Sequence, residues 1–271
     1  MKQILTSENW LPQQPYRTQR SYEMLCRLKT SGKEDITIQS TFFVTPVGSC
    51  YNDNYILLID RKNIIINNNE GLTILEEMAL ACSACLFPVC IMVNRRGEFL
   101  HIHNHPQIVE HWEAIKHQLF ETYDGEVAHR YINKNNDTIH NKELLCHALK
   151  NDFFFYCYFK PLYIYYTNEL DSIEKWDPAD FLEVGTPIEM DQKVFYDSSV
   201  NSIRVNATNI DAKDSRSTTT ISLQYTLNPE FNTIDTIKGI IIKEQGQVHI
   251  DITATNETFV KHHIEIFPDI K

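Results

Sequence analysis

The stretch Glu98–Phe120, EFLHIHNHPQIVEHWEAIKHQLF, holds five of the chain's 11 histidines. His101, His103 and His105 fall at alternate positions. On a β-strand alternate side chains leave the same face about 6–7 Å apart, and His-x-His on a strand is a zinc-binding geometry. Three imidazoles leaving one coordination position open would activate a water molecule, the chemistry of a metal-dependent hydrolase. His105 fits such a set poorly, because it precedes Pro106 and the chain must turn there. The intervening Leu100 and Ile102 are apolar. A half-buried strand that turns its polar residues to water has the same pattern, so the histidines compete with a purely structural reading.

Other reactive constellations are thinner. Cys82-Ser83-Ala84-Cys85 is a CxxC, but it lies inside an amphipathic helical pattern rather than at a helix N-terminus, where the dipole would lower a thiol pKa. There is no second CxxC to complete a four-cysteine zinc site. The chain contains no GxSxG, GxxxxGK[ST] or GxGxxG, and it has only 8 glycines, so nucleophile elbows and phosphate loops are not signalled. Seven cysteines, mostly in apolar segments, read as free buried thiols.

The run Phe153–Tyr166, FFFYCYFKPLYIYY, has nine aromatic residues in fourteen. Read as a strand, a break at Pro161 and a second strand, it presents rings on both faces, more than one buried face requires. A central strand between core layers accounts for it. An aromatic surface for a partner or an apolar ligand is the sharper alternative, and Tyr156, Tyr158, Tyr163, Tyr165 and Tyr166 are its candidate contact residues. Those of PLYIYY are the better placed for exposure.

Several elements must position these residues. SYEMLCRLKT (21–30) and DITIQSTFFVTP (35–46) read as strands. YILLIDRKNIIINN (55–68) reads as two strands around a turn at Asp60–Asn63. Thr73 and Glu76 have capping-box spacing and open a helix that Pro88 ends. VCIMVNRRGEFLHIHN reads as a hairpin, with Gly97 able to take the left-handed position of its turn. Pro106 suits the first turn of a helix, and Ile108, Trp112, Ile115, Leu119 and Tyr123 recur at helical spacing. A loop containing NKNND leads to a short helix at about 141–150. From Lys193 onward six strands are expected: KVFYDS, SIRVNAT, TTTISLQYTL, IKGIIIKE, QVHIDITATN and FVKHHIEIF.

Strands, helix, hairpin, helices and then many strands do not alternate as a parallel α/β fold does. The expectation is an α+β fold, a curved half-barrel-like antiparallel sheet with about three helices on one face. The whole chain, 1–271, reads as a single domain. Two lobes, 1–166 and 193–271, are the alternative.

The composition is 42% hydrophobic with a formal charge of −11. Such a surface repels nucleic acid and anionic lipid and favours basic partners. The N-terminal residues lack the apolar core of a signal peptide, and the longest apolar run, Met78–Val93, is shorter than a bilayer span and divided by Pro88. A cytoplasmic location and no membrane insertion are expected.

The hairpin with its glycine turn (Asn94–Gly97), the short Ile102–Asn104 segment and the Trp112 helix resemble a pattern in uncharacterised bacterial proteins associated with contact-dependent, type VI-like toxin delivery. The resemblance covers about half the chain. It implies an effector-binding adaptor or an immunity protein, and it makes the histidines framework. On these grounds the sequence points first to a non-enzymatic cytoplasmic protein-binding module without cofactor, whose partner is a basic effector or toxin domain. A metal-dependent hydrolase using His101, His103 and His105 is one alternative. A carrier of a lipid or other apolar ligand inside a half-barrel lined by Phe153–Tyr166 is the other.

Overall fold

The hairpin at Asn94–Gly97 forms as its sequence requires. In the computed structural model Gly97 has φ of 90°, and the Asn94 side chain accepts from the amides of Arg96 and Glu98. The hairpin joins β4 (Val89–Val93) to β5 (Phe99–Ile102). The structure describes residues 9–12, 18–50, 54–69, 72–182, 185–210, 219–243 and 246–259.

Three long strands come first: β1 (Thr18–Thr30), β2 (Ile36–Cys50) and β3 (Asn54–Ile66). β3 runs unbroken through Asp60–Asn63, where a turn was expected. β2 is long enough to pair along it, and an irregularity opposite Gln39–Thr41 absorbs Asn63, whose φ is 53°. Helix α1 (Ile74–Ala84) starts from the Thr73–Glu76 capping box.

After β5 come α2 (His105–Thr122), α3 (Glu126–His140), α4 (Lys142–Lys150) and α5 (Phe153–Tyr158). The remaining strands are β6 (Asp171–Trp176), β7 (Ile188–Asp197), β8 (Ser202–Asn209), β9 (Thr219–Leu227), β10 (Ile234–Lys243) and β11 (Gly246–Phe259). The expected strand FVKHHIEIF lies outside the described residues beyond Phe259.

All eleven strands join one antiparallel sheet, in the order β5-β4-β3-β2-β1-β11-β10-β9-β8-β7-β6. β1 pairs with β11, so both ends of the strand sequence meet in the middle. The edges are β5 and β6, and the chain passes from one to the other through four helices. The fold is α+β with an open, curved sheet, as the order of elements implied. β7 and β9 alternate buried and outward residues along their length, the period-2 pattern of a sheet with one packed face.

Two further elements correct the sequence reading. Phe153–Tyr158 is the helix α5, not a strand. Asp152 caps it by accepting from the amides of Phe154 and Phe155, and Phe154 to Cys157 are all buried. A run that is apolar on every side has no period to distinguish helix from strand. The NKNND segment lies within α3. Its polar residues have modest helix propensity, but Ala128, Ile132, Asn135 and Ile139 form a stripe at helical spacing, and Ile132 and Ile139 are buried.

α5 fills the hollow of the sheet. Phe154 stacks on Phe42 of β2 with centroids 3.9 Å apart. From the other half of the sheet, Tyr225 of β9 donates to the Cys157 carbonyl at 2.9 Å. α5 is thus the plug of the core. The space expected to hold a ligand inside the half-barrel is occupied by the aromatic run itself.

Candidate functional site

Just past α5 the chain makes a tight, well-held turn. The Leu162 amide donates to the Lys160 carbonyl at 2.8 Å. Gln192, buried under the sheet, donates to the Pro161 carbonyl, and the Tyr166 hydroxyl donates to the Leu162 carbonyl. The β4–β5 turn presses on the same segment. A Cβ on Gly97 would sit 3.0 Å from the Lys160 carbonyl oxygen and 2.9 Å from the Tyr163 ring. These contacts fix Lys160 with 6% of its surface exposed.

The Lys160 ammonium lies 3.5 Å from the centroid of the Tyr156 ring and 5.0 Å from that of Trp176. Such cation–π contacts are favourable, but they replace hydration only in part. Among the described residues no acceptor is within hydrogen-bond distance of this ammonium. Burial lowers its pKa to about 7; Cys157, Asp177 and Glu98 act against that shift, and Lys150 adds to it. The Tyr156 hydroxyl and the Trp176 indole N–H are also buried without a partner among the described residues.

Lys160 borders a pocket of about 760 Å³, within the usual range of small-molecule sites. One wall is Phe99 and His101 of β5, another is α4 through Cys146 and Lys150, and a third is Phe155 and Phe159. Trp176 and Asp177, at the end of β6, close it. The pocket therefore sits where the two edges of the sheet approach each other. The Arg96 guanidinium of the β4–β5 turn pairs with the Glu174 carboxylate of β6 across this seam.

The expected metal ligands are not gathered. His101 lines the pocket, and burial lowers its pKa, with Lys142 and His103 adding to the effect. The His105 Nε2 lies 2.8 Å from the Ile139 carbonyl in α3, because α2 begins at His105, which already belongs to that helix. No group of three His, Cys, Asp or Glu side chains able to hold a metal ion occurs among the described residues. Strict alternation would turn Leu100 inward with Ile102, but Leu100 is 39% exposed. The β4–β5 register shifts so that Val93 pairs with Phe99 and Met92 with His101, and a bulge of this kind carries both Phe99 and Ile102 inward. Cys82 in α1 and Cys85 at its C-cap are buried, and burial raises their pKa values to about 11 and about 12, the opposite of the lowered pKa that a redox CxxC needs.

The five tyrosines assigned to a partner surface are distributed differently. Tyr156, Tyr163 and Tyr166 are buried, and Tyr158 is half-buried. Tyr165 is 54% exposed and stacks on Trp10. Exposure therefore fails for Tyr163 and Tyr166, whose hydroxyls bind the carbonyls of Asn232 and Leu162 inside the core. Lys160 and Trp176 were not singled out from sequence. The available signal was Lys160 itself, the one charged residue among nine aromatics, since lysine is seldom buried without a reason.

No protein-family model matches the chain, and no curated protein matches it. Among solved structures it is similar to a LolA superfamily protein from Nitrosomonas europaea, at 9% identity and a TM-score of 0.21, over 96% of this chain and 90% of that one. That likeness is too slight to bear on function. Among the described residues no helix is long and apolar enough to cross a membrane.

Proposed function

We propose that the protein is a binding module for a small, largely apolar molecule, held in the seam pocket rather than in the hollow of the sheet. The observation that carries this reading is the pocket of about 760 Å³, bordered by Lys160, whose ammonium has no hydrogen-bond acceptor among the described residues, and by Tyr156 and Trp176, whose buried polar atoms have no partner there either. Native structures rarely leave buried donors unsatisfied. A concave, aromatic-walled site with a few such groups is the usual form of a ligand pocket.

Cys146 is half-buried on the pocket face of α4, and Cys146→Trp would fill the space without entering the sheet. Wild type should take up the neutral apolar fluorophore N-phenylnaphthylamine, and Cys146→Trp should lose most of that signal. Equal fluorescence from the two proteins, or none from either, would remove the reading.

A protein partner of the effector or toxin class is the second reading. It is supported by the charge of −11 and by the exposed Tyr165. Co-purification of a basic protein with wild type but not with Tyr165→Ala would favour it.

A further inference from the structure

We infer that the ligand of the seam pocket carries a single carboxylate, and that Lys160 is the residue that receives it. The inference rests on the pocket being a ligand site and adds the chemistry of the ligand's head.

Two of the polar groups left without a partner in that corner can only donate, and the third, a tyrosine hydroxyl, can donate or accept. Lys160 offers ammonium hydrogens, Tyr156 its hydroxyl and Trp176 its indole N–H. The ammonium and the indole N–H can only donate, so they call for a ligand group that accepts. A neutral carbonyl would supply lone pairs but would leave the ammonium charge uncompensated in a place with little water. An ionised carboxylate supplies two oxygens and one negative charge.

The remaining charges argue against a more highly charged head. Glu98, Glu143 and Asp177 line the same pocket and would repel a phosphate dianion. Lys142, Lys150, His101 and His147 also line it, but Lys150 lies over the Phe99 ring at 5.5 Å and His147 pairs with Asp180 at 3.3 Å. From α5, Tyr156 and Cys157 face Lys160, and burial pushes both above their ordinary pKa values, which keeps them neutral. The apolar part of the ligand then rests on Phe99, Phe155 and Phe159. The class is an amphipathic monocarboxylic acid.

The test compares decanoate with decanol by calorimetry, on wild type and on Lys160→Met. Methionine keeps the length of the side chain and removes its charge. A charge-assisted hydrogen bond predicts that wild type prefers decanoate about 10- to 100-fold. Lys160→Met should lose that preference while still binding decanol. Equal affinities in wild type would overturn the carboxylate but leave the pocket reading standing. So would a preference that survives in Lys160→Met, because it would place the anion at Lys142 or Lys150. Binding of neither compound would remove both.

A second measurement needs no variant. Because free Lys160 titrates near 7, carboxylate binding above that pH requires proton uptake. Decanoate affinity should fall by up to about tenfold per pH unit between about pH 7.5 and pH 9.5, while decanol affinity stays level. This window lies above the ordinary imidazole range. Decanoate affinity that is flat across it would overturn the role of Lys160.

Discussion

Lys160 holds an ammonium where 6% of the residue is exposed, and its pKa falls to about 7. In an unfolded chain lysine titrates near 10.4. A base whose folded pKa is depressed weakens the fold as pH drops from the unfolded value towards the folded one; below that the penalty is constant. Lys160→Met should therefore stabilise the protein relative to wild type. The gain should be small near pH 10 and grow by up to about 1.4 kcal/mol per pH unit down to about pH 7. Urea midpoints of the two proteins at several pH values measure it. A difference independent of pH would mean that the ammonium is solvated in the empty protein. Gly97 is the other decisive residue of the corner. Gly97→Ala would place a Cβ at φ of 90°, against the Tyr163 ring and the Lys160 carbonyl. It should lower stability by about 1–3 kcal/mol, read by thermal unfolding.

Among the elements, α5 depends most on one side chain. Asp152 caps it, and it faces Arg61 of β3 at 3.6 Å. Arg61 also donates to Ser83 of α1 and lies over the Phe87 ring at 4.5 Å. Three elements are thus joined at one carboxylate. Asp152→Asn keeps an N-cap acceptor and removes the charge; Asp152→Ala removes both. The alanine variant should be the less stable of the two by about 0.5–2 kcal/mol, measured by chemical denaturation. Similar losses would mean that the ion pair, not the cap, holds α5. The contrast between α1 and α5 shows what a local signal carries. α1 was legible because Thr73 and Glu76 satisfy each other within one turn. α5 was not, because all its faces are buried and only the sheet around it selects a helix. α3 fell between: its stripe of Ala128, Ile132, Asn135 and Ile139 was present but masked by polar neighbours.

At the scale of the molecule the sheet stays open, and its two edges are joined by helices and by the Arg96–Glu174 pair. Both partners are partly exposed, and ion pairs open to solvent contribute little to stability. Glu174→Ala should cost less than about 1 kcal/mol globally, yet hydrogen exchange in β6 should quicken, because the seam loses its tie. Unchanged exchange would show that the helices alone hold the edges. The antiparallel α+β character, the capping box, the glycine turn and the Trp112 helix were determined by sequence, because each is set by neighbours a few residues away. Placement of the aromatic run was not. Whether Phe153–Tyr166 is a strand, a partner surface or a plug depends on what surrounds it, and only the closing sheet settles that it fills the core. The site was decided the same way. His101, His103 and His105 have the spacing of a metal set, but α2 begins at His105 and carries it to the Ile139 carbonyl. Lys160 and Trp176 are 16 positions apart with no motif between them, and they meet only because β5 and β6, the two unpaired edges, are brought to one seam.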